Sequence, residues 1–147
     1  MTGSSSLSPD ETAVAAANLG FYRALEARVL SAMDVVWSHS EAAGCVHPGW
    51  HRLDGWDEIR RSFENIFASS RPWTVVCEDV RIEVRGDAAW VSCVEVIRPF
   101  GSSRTDAAAR MQATNVFVRE DGEWRLLHHH ASASPDEEAG EEDETIN

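Results

Sequence analysis

Two tight turns in the second half of the chain constrain its fold more than any other sequence feature. Gly86-Asp87 and Asp121-Gly122 each separate two segments in which apolar and polar side chains alternate. Such alternation predicts strands, and an Asp-Gly pair between two strands is a strong hairpin signal. The predicted strands are 74–85, 88–98, 107–119 and 124–132. We therefore expect four long antiparallel strands joined in sequence.

The first half of the chain has a helical pattern. Ser8 can cap a helix, Pro9 suits a first turn, and Glu11 completes a capping box. Helices are predicted from this point to about Arg28, over 30–37 and over 56–68. Two short extended pieces lie before the third helix, around a Pro48-Gly49 turn. Three helices followed by four strands indicate an α+β fold, with the helices packed on one face of a bent sheet.

Length and charge limit the domain organisation and the partners. A chain of 147 residues suits one domain. The formal net charge is -12, and seven acidic residues fall within 136–147. The remaining body is mildly acidic, which argues against binding nucleic acid or an anionic membrane. We expect a flexible tail over 1–7, a folded domain over 8–133 and a disordered acidic tail over 134–147.

The cysteines and the hydropathy pattern favour a cytoplasmic protein without a cofactor. The three cysteines have no spacing typical of a disulfide framework or a zinc knuckle. No apolar run is long enough to span a bilayer, and the first residues do not resemble a secretory signal. The three consecutive histidines do not predict a metal site, because neighbouring strand residues point to opposite faces. Only His128 and His130 could share a ligand set, with His47, His51 or Glu95 as a third member.

The two turns also predict which side chains share a face. Counting back from Asp121-Gly122 pairs Phe117 with Leu126, Asn115 with His128, and Ala113 with His130. Counting from Gly86-Asp87 puts Val80, Ile82 and Val84 on the same face as Glu95. One face then carries Met111, Ala113, Asn115, Phe117, Trp124, Leu126, His128 and His130. The other face carries Thr114, Val116, Val118, Arg125, Leu127 and His129.

Four stretches carry a resemblance to a known family: FYRALEARVLSAMDVVWSH, CVHPGWHRLDGWDEIRRSF, GDAAWVSC and ATNVFVREDGEWRLLHHHAS. Together they resemble the nuclear-transport-factor-2-like superfamily, and its SnoaL-like members in particular, over roughly 14–133. The resemblance implies a cone-shaped, curved antiparallel sheet wrapped around the N-terminal helices, with a central pocket. The last stretch is also similar to calcium/calmodulin-dependent kinase association domains and to metal-free iota-class carbonic anhydrases.

The resemblance indicates which face is inside the cone. In the kinase association domains, the positions that match Glu95 and Asn115 carry pocket residues, so their face is assigned to the pocket. The opposite face is also apolar, and an apolar patch of that size is expected to be covered. In this fold that face commonly supports a dimer. We therefore expect a homodimer through the outer sheet face, with His129 directed toward the partner.

The residues assigned to the pocket suggest acid–base chemistry. Glu95 or His128 would act as the base, His130 as its partner, and Asn115 as the donor to a developing oxyanion. The alternative is a buried polar network that only orients the sheet. A Cys45–His47 nucleophile pair is disfavoured, because such a loop more often shapes a pocket rim. Further ligand-contacting residues are predicted to be His47, Tyr22, Trp37, Trp56, Cys93, Met111 and Phe117.

The superfamily's range leaves several functions open. It includes isomerases, cyclases, dehydratases, epoxide hydrolases and non-catalytic assembly domains, so the fold does not define the chemistry. The first hypothesis is a cofactor-independent isomerase, cyclase or dehydratase for a small apolar carbonyl compound. The second is a module that binds a ligand or assembles without chemistry. The third is a metal-free hydrase of the carbonic-anhydrase kind, from whose pattern the chain departs at Ala131.

Overall fold

The computed structural model describes residues 6–103 and 107–135. Its helices are α1 (Pro9–Ala27), α2 (Leu30–Val36) and α3 (Trp56–Ser69). Its strands are β1 (Gly44–Val46), β2 (Leu53–Asp54), β3 (Trp73–Arg85), β4 (Ala88–Pro99), β5 (Ala109–Glu120) and β6 (Glu123–Ala133). The predicted α+β order is confirmed. Residues 1–5 of the predicted N-terminal tail and 136–147 of the predicted acidic tail lie outside the described residues.

Helix α1 begins with the capping box that the sequence predicts. The Ser8 hydroxyl accepts from the Glu11 amide at 3.1 Å, and the Glu11 carboxylate accepts from the Ser8 amide at 2.8 Å. These bonds satisfy two amides that a helix start otherwise leaves without partners. The buried side of α1 carries Val14, Asn18, Phe21 and Tyr22, and this side packs against the inner face of the sheet. No helix in the described ranges has the length and apolarity needed to cross a membrane.

The ends of α1 and α3 are joined by Arg28. This residue adopts a left-handed conformation with φ of 61° and caps α1. Its guanidinium donates to the carbonyl oxygens of Phe67, Ser70 and Arg71, near the C-terminus of α3, and lies over the Trp73 ring. A cation is favourable beside the carbonyl oxygens that a helix end leaves unpaired. Arg28 therefore holds both helices at the end of the cone where β3 begins.

The strands form one six-stranded sheet in the order β2-β1-β6-β5-β4-β3. The four long strands pair antiparallel, as predicted, and the two tight turns join β3 to β4 and β5 to β6. Strand β1 pairs parallel with β6, which makes the sheet mixed. The inner face of this sheet and the helices enclose a single core.

A β-bulge in β6 changes the face on which its histidines lie. The pairs predicted next to the turn are present, including Phe117 with Leu126, but Val116 then pairs with His128. One extra residue in β6 shifts every later pair, because side chains alternate between faces. The predicted pairs of Asn115 with His128 and of Ala113 with His130 are therefore wrong. Asn115 pairs with His129, and Ala113 pairs with Ala131.

A second bulge lies in β3. Glu78 pairs with Val94 and Arg81 pairs with Ser92, so β3 has one more residue here than β4 does. Asp79 at this bulge has a positive φ of 51°. Ile82 is on the inner side as predicted, but Val80 is exposed, which corrects its predicted grouping with Ile82. Before the bulge, Val75 and Cys77 are the β3 side chains that pack against the core.

Candidate functional site

Four polar side chains meet at the centre of the cone. Tyr22 comes from α1, Glu95 from β4, Asn115 from β5 and His129 from β6. Their exposed fractions lie between 0% and 4%, so all four are withdrawn from solvent. The predicted inward positions of Glu95 and Asn115 agree with this placement. We call these four residues the central network.

Hydrogen bonds connect the central network in one chain. The Tyr22 hydroxyl donates to Glu95 Oε2 at 2.6 Å, and Asn115 Nδ2 donates to the Tyr22 oxygen at 3.0 Å. Asn115 Oδ1 lies 2.5 Å from His129 Nδ1. Since an amide oxygen only accepts, Nδ1 of His129 carries the proton. The other ring nitrogen, Nε2, is then the acceptor, and it lies 3.9 Å from Glu95 Oε2.

Asn18 is a member of this site that the sequence prediction missed. Asn115 Nδ2 also donates to Asn18 Oδ1 at 2.9 Å. Asn18 is four residues after Val14 and four before Tyr22, so the three share one side of α1. A polar residue on an otherwise apolar helix side is a signal that it meets a buried polar partner.

Burial shifts the pKa values of the three titratable residues of the central network. It raises the pKa of Glu95 to about 7, although the hydrogen bond from Tyr22 opposes that shift. It lowers the pKa of His129 to about 3, and it raises the pKa of Tyr22 far above its ordinary value. Near neutral pH, His129 and Tyr22 are therefore uncharged while Glu95 gains or loses a proton. A carboxyl balanced in this way suits proton transfer.

The role predicted for Asn115 is not compatible with its contacts. Both hydrogens of its amide nitrogen are already donated, to Asn18 and to Tyr22. No N–H group is left for the oxygen of a ligand, so Asn115 orients its two neighbours. The Tyr22 hydroxyl is the better candidate donor, because it has a single acceptor bond to exchange, the one to Glu95.

The structure places His128 and His130 on the outer face, away from the central network. His128 is half-buried, and His130 is exposed. The ring of His128 covers Gly44, where an added Cβ would lie 2.6 Å from His128 Nδ1. The predicted inward position of these two histidines is wrong, as is the predicted outward position of His129. The bulge in β6 is the physical reason.

Two of the predicted ligand-contacting residues adjoin the central network. Cys93 Sγ lies 3.4 Å from the Tyr22 hydroxyl. Met111 pairs with Glu95 across β4 and β5, and its half-buried side chain packs against the core. Trp37, Trp56 and Phe117 are buried in the apolar core. The Trp37 ring stacks on Trp56 and lies edge-on to Phe21.

His47 belongs to a separate buried contact between β1 and α3. Its Nε2 donates to Ser62 Oγ at 2.8 Å, because the Ser62 hydroxyl proton is itself donated to the Ile59 carbonyl. Cys45 Sγ is 3.7 Å from the same nitrogen. Burial lowers the pKa of His47 to about 4 and raises the pKa of Cys45, so both are neutral. A neutral pair of this kind does not supply a thiolate nucleophile.

Four depressions on the described surface have none of the central network residues in their lining, and the exposed fractions of those residues are at most 4%. One of about 590 Å³ is lined by Arg23, Glu26, Trp73 and Phe100, among others, and one of about 280 Å³ has Cys93, a neighbour of Tyr22, in its lining. A ligand that reaches Glu95 must therefore displace side chains at the end of the cone. Among the described residues, no three His, Cys, Asp or Glu side chains are grouped to hold a metal ion.

Comparison with known proteins identifies the family. The SnoaL-like domain profile matches residues 14–137. The chain therefore belongs to the SnoaL-like domain family, which confirms the resemblance seen in the sequence. A candidate dehydratase of the NTF2-like family from Streptomyces avermitilis is 34% identical, with a TM-score of 0.75. That match covers 85% of this chain and 96% of the other.

Two further relatives are described as an association domain and an F-box protein, not as enzymes of this fold. A candidate calcium/calmodulin-dependent protein kinase type II association domain from Thiobacillus denitrificans is 29% identical, with a TM-score of 0.74. It covers 81% of this chain and 93% of the other. The F-box protein SKIP8 from Arabidopsis thaliana is 27% identical over 120 residues, which is 82% of this chain. This chain spans about half the length of that curated relative, 49%.

Proposed function

We propose that this protein is a cofactor-independent enzyme that moves a proton on a small, neutral carbonyl compound, as an isomerase, cyclase or dehydratase does. The observation that carries the proposal is the buried Glu95 carboxyl, bonded to the Tyr22 hydroxyl at 2.6 Å. Glu95 is the base, Tyr22 the donor to the substrate oxygen, and Asn115 and His129 are positioning residues. The likeness to the candidate dehydratase, at 34% identity, supports this reading.

The proposed chemistry follows from the charge state of the network. Ionised Glu95 takes a proton from the carbon beside the carbonyl group. As negative charge develops on the carbonyl oxygen, the Tyr22 hydroxyl turns from Glu95 to that oxygen. In a dry site such a bond is worth more than in water, because the local dielectric is low. The apolar residues around the network, including Phe21, Val91 and Leu126, favour a neutral and largely apolar substrate.

Proton transfer can be measured with a simple ketone. We expect the protein to convert 3-cyclohexen-1-one to its conjugated isomer, followed by ultraviolet absorbance, with a rate that rises as pH passes through about 7. Glu95→Gln should lower the rate by about 100-fold or more, since it removes a general base. Tyr22→Phe should lower it by about 100-fold to 1,000-fold, since it removes one oxyanion donor.

A matched control separates this loss from general damage. His130→Ala alters an exposed residue of the outer face and should leave the rate unchanged. The proposal is contradicted if the wild-type protein isomerises the ketone no faster than buffer, or if Glu95→Gln retains the wild-type rate.

A non-catalytic role in ligand binding or assembly is the second candidate. The observation that favours it is the closure of the central network, whose polar atoms already satisfy one another. The likeness to the association domain from Thiobacillus denitrificans points the same way. Absence of ketone isomerisation together with a stable oligomer would favour this candidate.

We also propose that the protein is located in the cytoplasm. Its three cysteines are free, as expected in a reducing compartment.

We also propose a homodimer formed through the outer face of the sheet. Trp90 is 42% exposed there, and Val94, Val116 and Val118 on the same face are only partly covered. Light scattering should return twice the chain mass of 16.3 kDa. Trp90→Glu should return the mass of the monomer, because a carboxylate would be buried without a partner.

Leu19→Glu is the matched control for the dimer. Leu19 is 47% exposed but lies on α1, outside the sheet, so this variant should remain a dimer. A wild-type mass of 16.3 kDa at working concentration would contradict the proposal.

A further inference from the structure

Two of the three cysteines lie next to each other on neighbouring strands, beside the central network. Cys77 of β3 pairs with Glu95 of β4, and Cys93 is two residues before Glu95 on the same strand. Residues two apart on a strand share a face, so Cys93 lies diagonally across from Cys77 on the inner side. Both are free thiols.

Both thiols contact the residues that hold Glu95. Cys93 Sγ lies 3.4 Å from the Tyr22 hydroxyl, and Cys77 Sγ lies 3.9 Å from Asn18 Nδ2. Tyr22 and Asn18 both accept from the Asn115 amide, so one small group of side chains surrounds the two sulfurs. The neighbouring thiol of Cys77 is the main cause that lowers the pKa of Cys93, although burial opposes that shift.

A small oxidant would approach this pair from the side of Cys77, because Cys93 is only 3% exposed. Cys77 is only partly buried. The β3 bulge interrupts the pairing opposite Cys93, and a depression of about 280 Å³ at the bulge is lined by Arg81, Ser92 and Val94 as well as Cys93, whose sulfur points to the inner side. Cys45 differs from Cys77 in being fully buried, and it differs from Cys93 because burial raises its pKa. A thiol becomes reactive when it has thiolate character and can be reached.

We propose that Cys77 and Cys93 are a site of reversible oxidation, at which hydrogen peroxide converts the two thiols to a disulfide. The Cys93 thiolate attacks one peroxide oxygen, so that an S–O bond forms, the O–O bond breaks, and the departing hydroxide takes up a proton to become water. The Cys77 sulfur then attacks the Cys93 sulfenic acid. The S–S bond forms, the S–O bond breaks, and the oxygen leaves as water with the Cys77 proton. The thiols lose two electrons, which reduce one peroxide to two waters.

The disulfide alters the site around Glu95. It removes the thiol of Cys93 as a hydrogen-bonding partner of Tyr22, and it draws Cys77 away from Asn18. Oxidation should therefore change the catalytic rate, and this consequence rests on the proposed function. The formation of the disulfide does not rest on it.

Mass spectrometry of the full-length, folded protein tests the proposal. After brief treatment with hydrogen peroxide, free thiols are alkylated in denaturant, and the protein is digested with trypsin. The expected product has lost about 2 Da, as one disulfide requires. It should join peptide 62–81, which holds Cys77, to peptide 86–104, which holds Cys93, while Cys45 in peptide 29–52 is alkylated. Dithiothreitol should restore all three thiols.

Variants define the partners of the bond. Cys45→Ser should form the same linked peptides as the wild type. Cys77→Ser should form none, and its Cys93 should instead be trapped by dimedone as the sulfenic acid. The proposal is overturned if both cysteines of the wild type remain alkylated after treatment, or if Cys45 forms the linkage. It is also overturned if folded Cys77→Ser gives no dimedone adduct at Cys93.

Discussion

Replacing His129 with alanine should lower the free energy of unfolding by about 3 to 4 kcal/mol, the range expected for a large buried side chain that also makes a hydrogen bond. Its ring is 4% exposed and packs 4.8 Å from the ring of Phe21, between centroids. Its Nδ1 donates to Asn115 Oδ1, and that oxygen would be left buried without a partner. Urea denaturation followed by circular dichroism measures the change.

His130→Ala is the matched control, because it removes the same side chain one position later. His130 is exposed on the outer face, so its loss should change the free energy of unfolding by about 0.5 kcal/mol or less. The difference in free energy of unfolding between the two variants shows which of the two histidines is buried, and this depends on the bulge in β6. Equal effects, or a larger effect at His130, would show that the register of β6 differs from the one described.

Replacing Glu95 with glutamine should change the free energy of unfolding in a pH-dependent way. The difference between variant and wild type should be more favourable to the variant at pH 8 than at pH 4.5. Burial raises the pKa of Glu95 from 4.5 to about 7, so the folded protein holds this proton more tightly than the unfolded chain does. The stability contributed by the protonated group is fully present below pH 4.5 and is lost as pH rises through about 7. Glutamine remains neutral throughout, and its oxygen can still accept from Tyr22.

The size of this effect follows from the pKa shift. A change from 4.5 to about 7 corresponds to about 3 kcal/mol in the difference between variant and wild type across that range. Chemical denaturation at both pH values measures it, and the titration of His129 cancels because both proteins contain it. Glu64→Gln, at an exposed position of α3, is the control for the substitution itself and should change the free energy of unfolding by about 0.5 kcal/mol or less. A flat difference for Glu95→Gln would mean that Glu95 titrates at its ordinary value.

Much of the fold follows from local sequence signals. The capping box at Ser8 and Glu11 marks the start of α1, and the two turns mark the hairpins of the sheet. These features depend on residues that are close in the chain, so a single sequence contains the information. The parallel pairing of β1 with β6 was not predicted, because it joins segments about 80 residues apart and no local pattern marks it.

The inward-facing residues of the site were predicted correctly on β4 and β5 but not on β6, which contains a bulge. Glu95 and Asn115 lie on β4 and β5, which pair without interruption, so the predicted faces of these two residues agree with the structure. The histidines lie beyond the bulge in β6, where the count from the turn is off by one. The carboxylate and the amide were therefore placed correctly, while the histidine beside them was taken to be His128 and not His129.

The sequence by itself determined the helices, the long strands, the hairpin turns and the membership of a family whose fold is a cone. The tertiary structure alone decided which histidine enters the core. The physical reason is that a bulge adds one residue to a strand without leaving a distinct local pattern, and each added residue turns every later side chain to the opposite face. Packing against α1, where Phe21 contacts the ring of His129, is consistent with the register in which His129 is the buried member of the three.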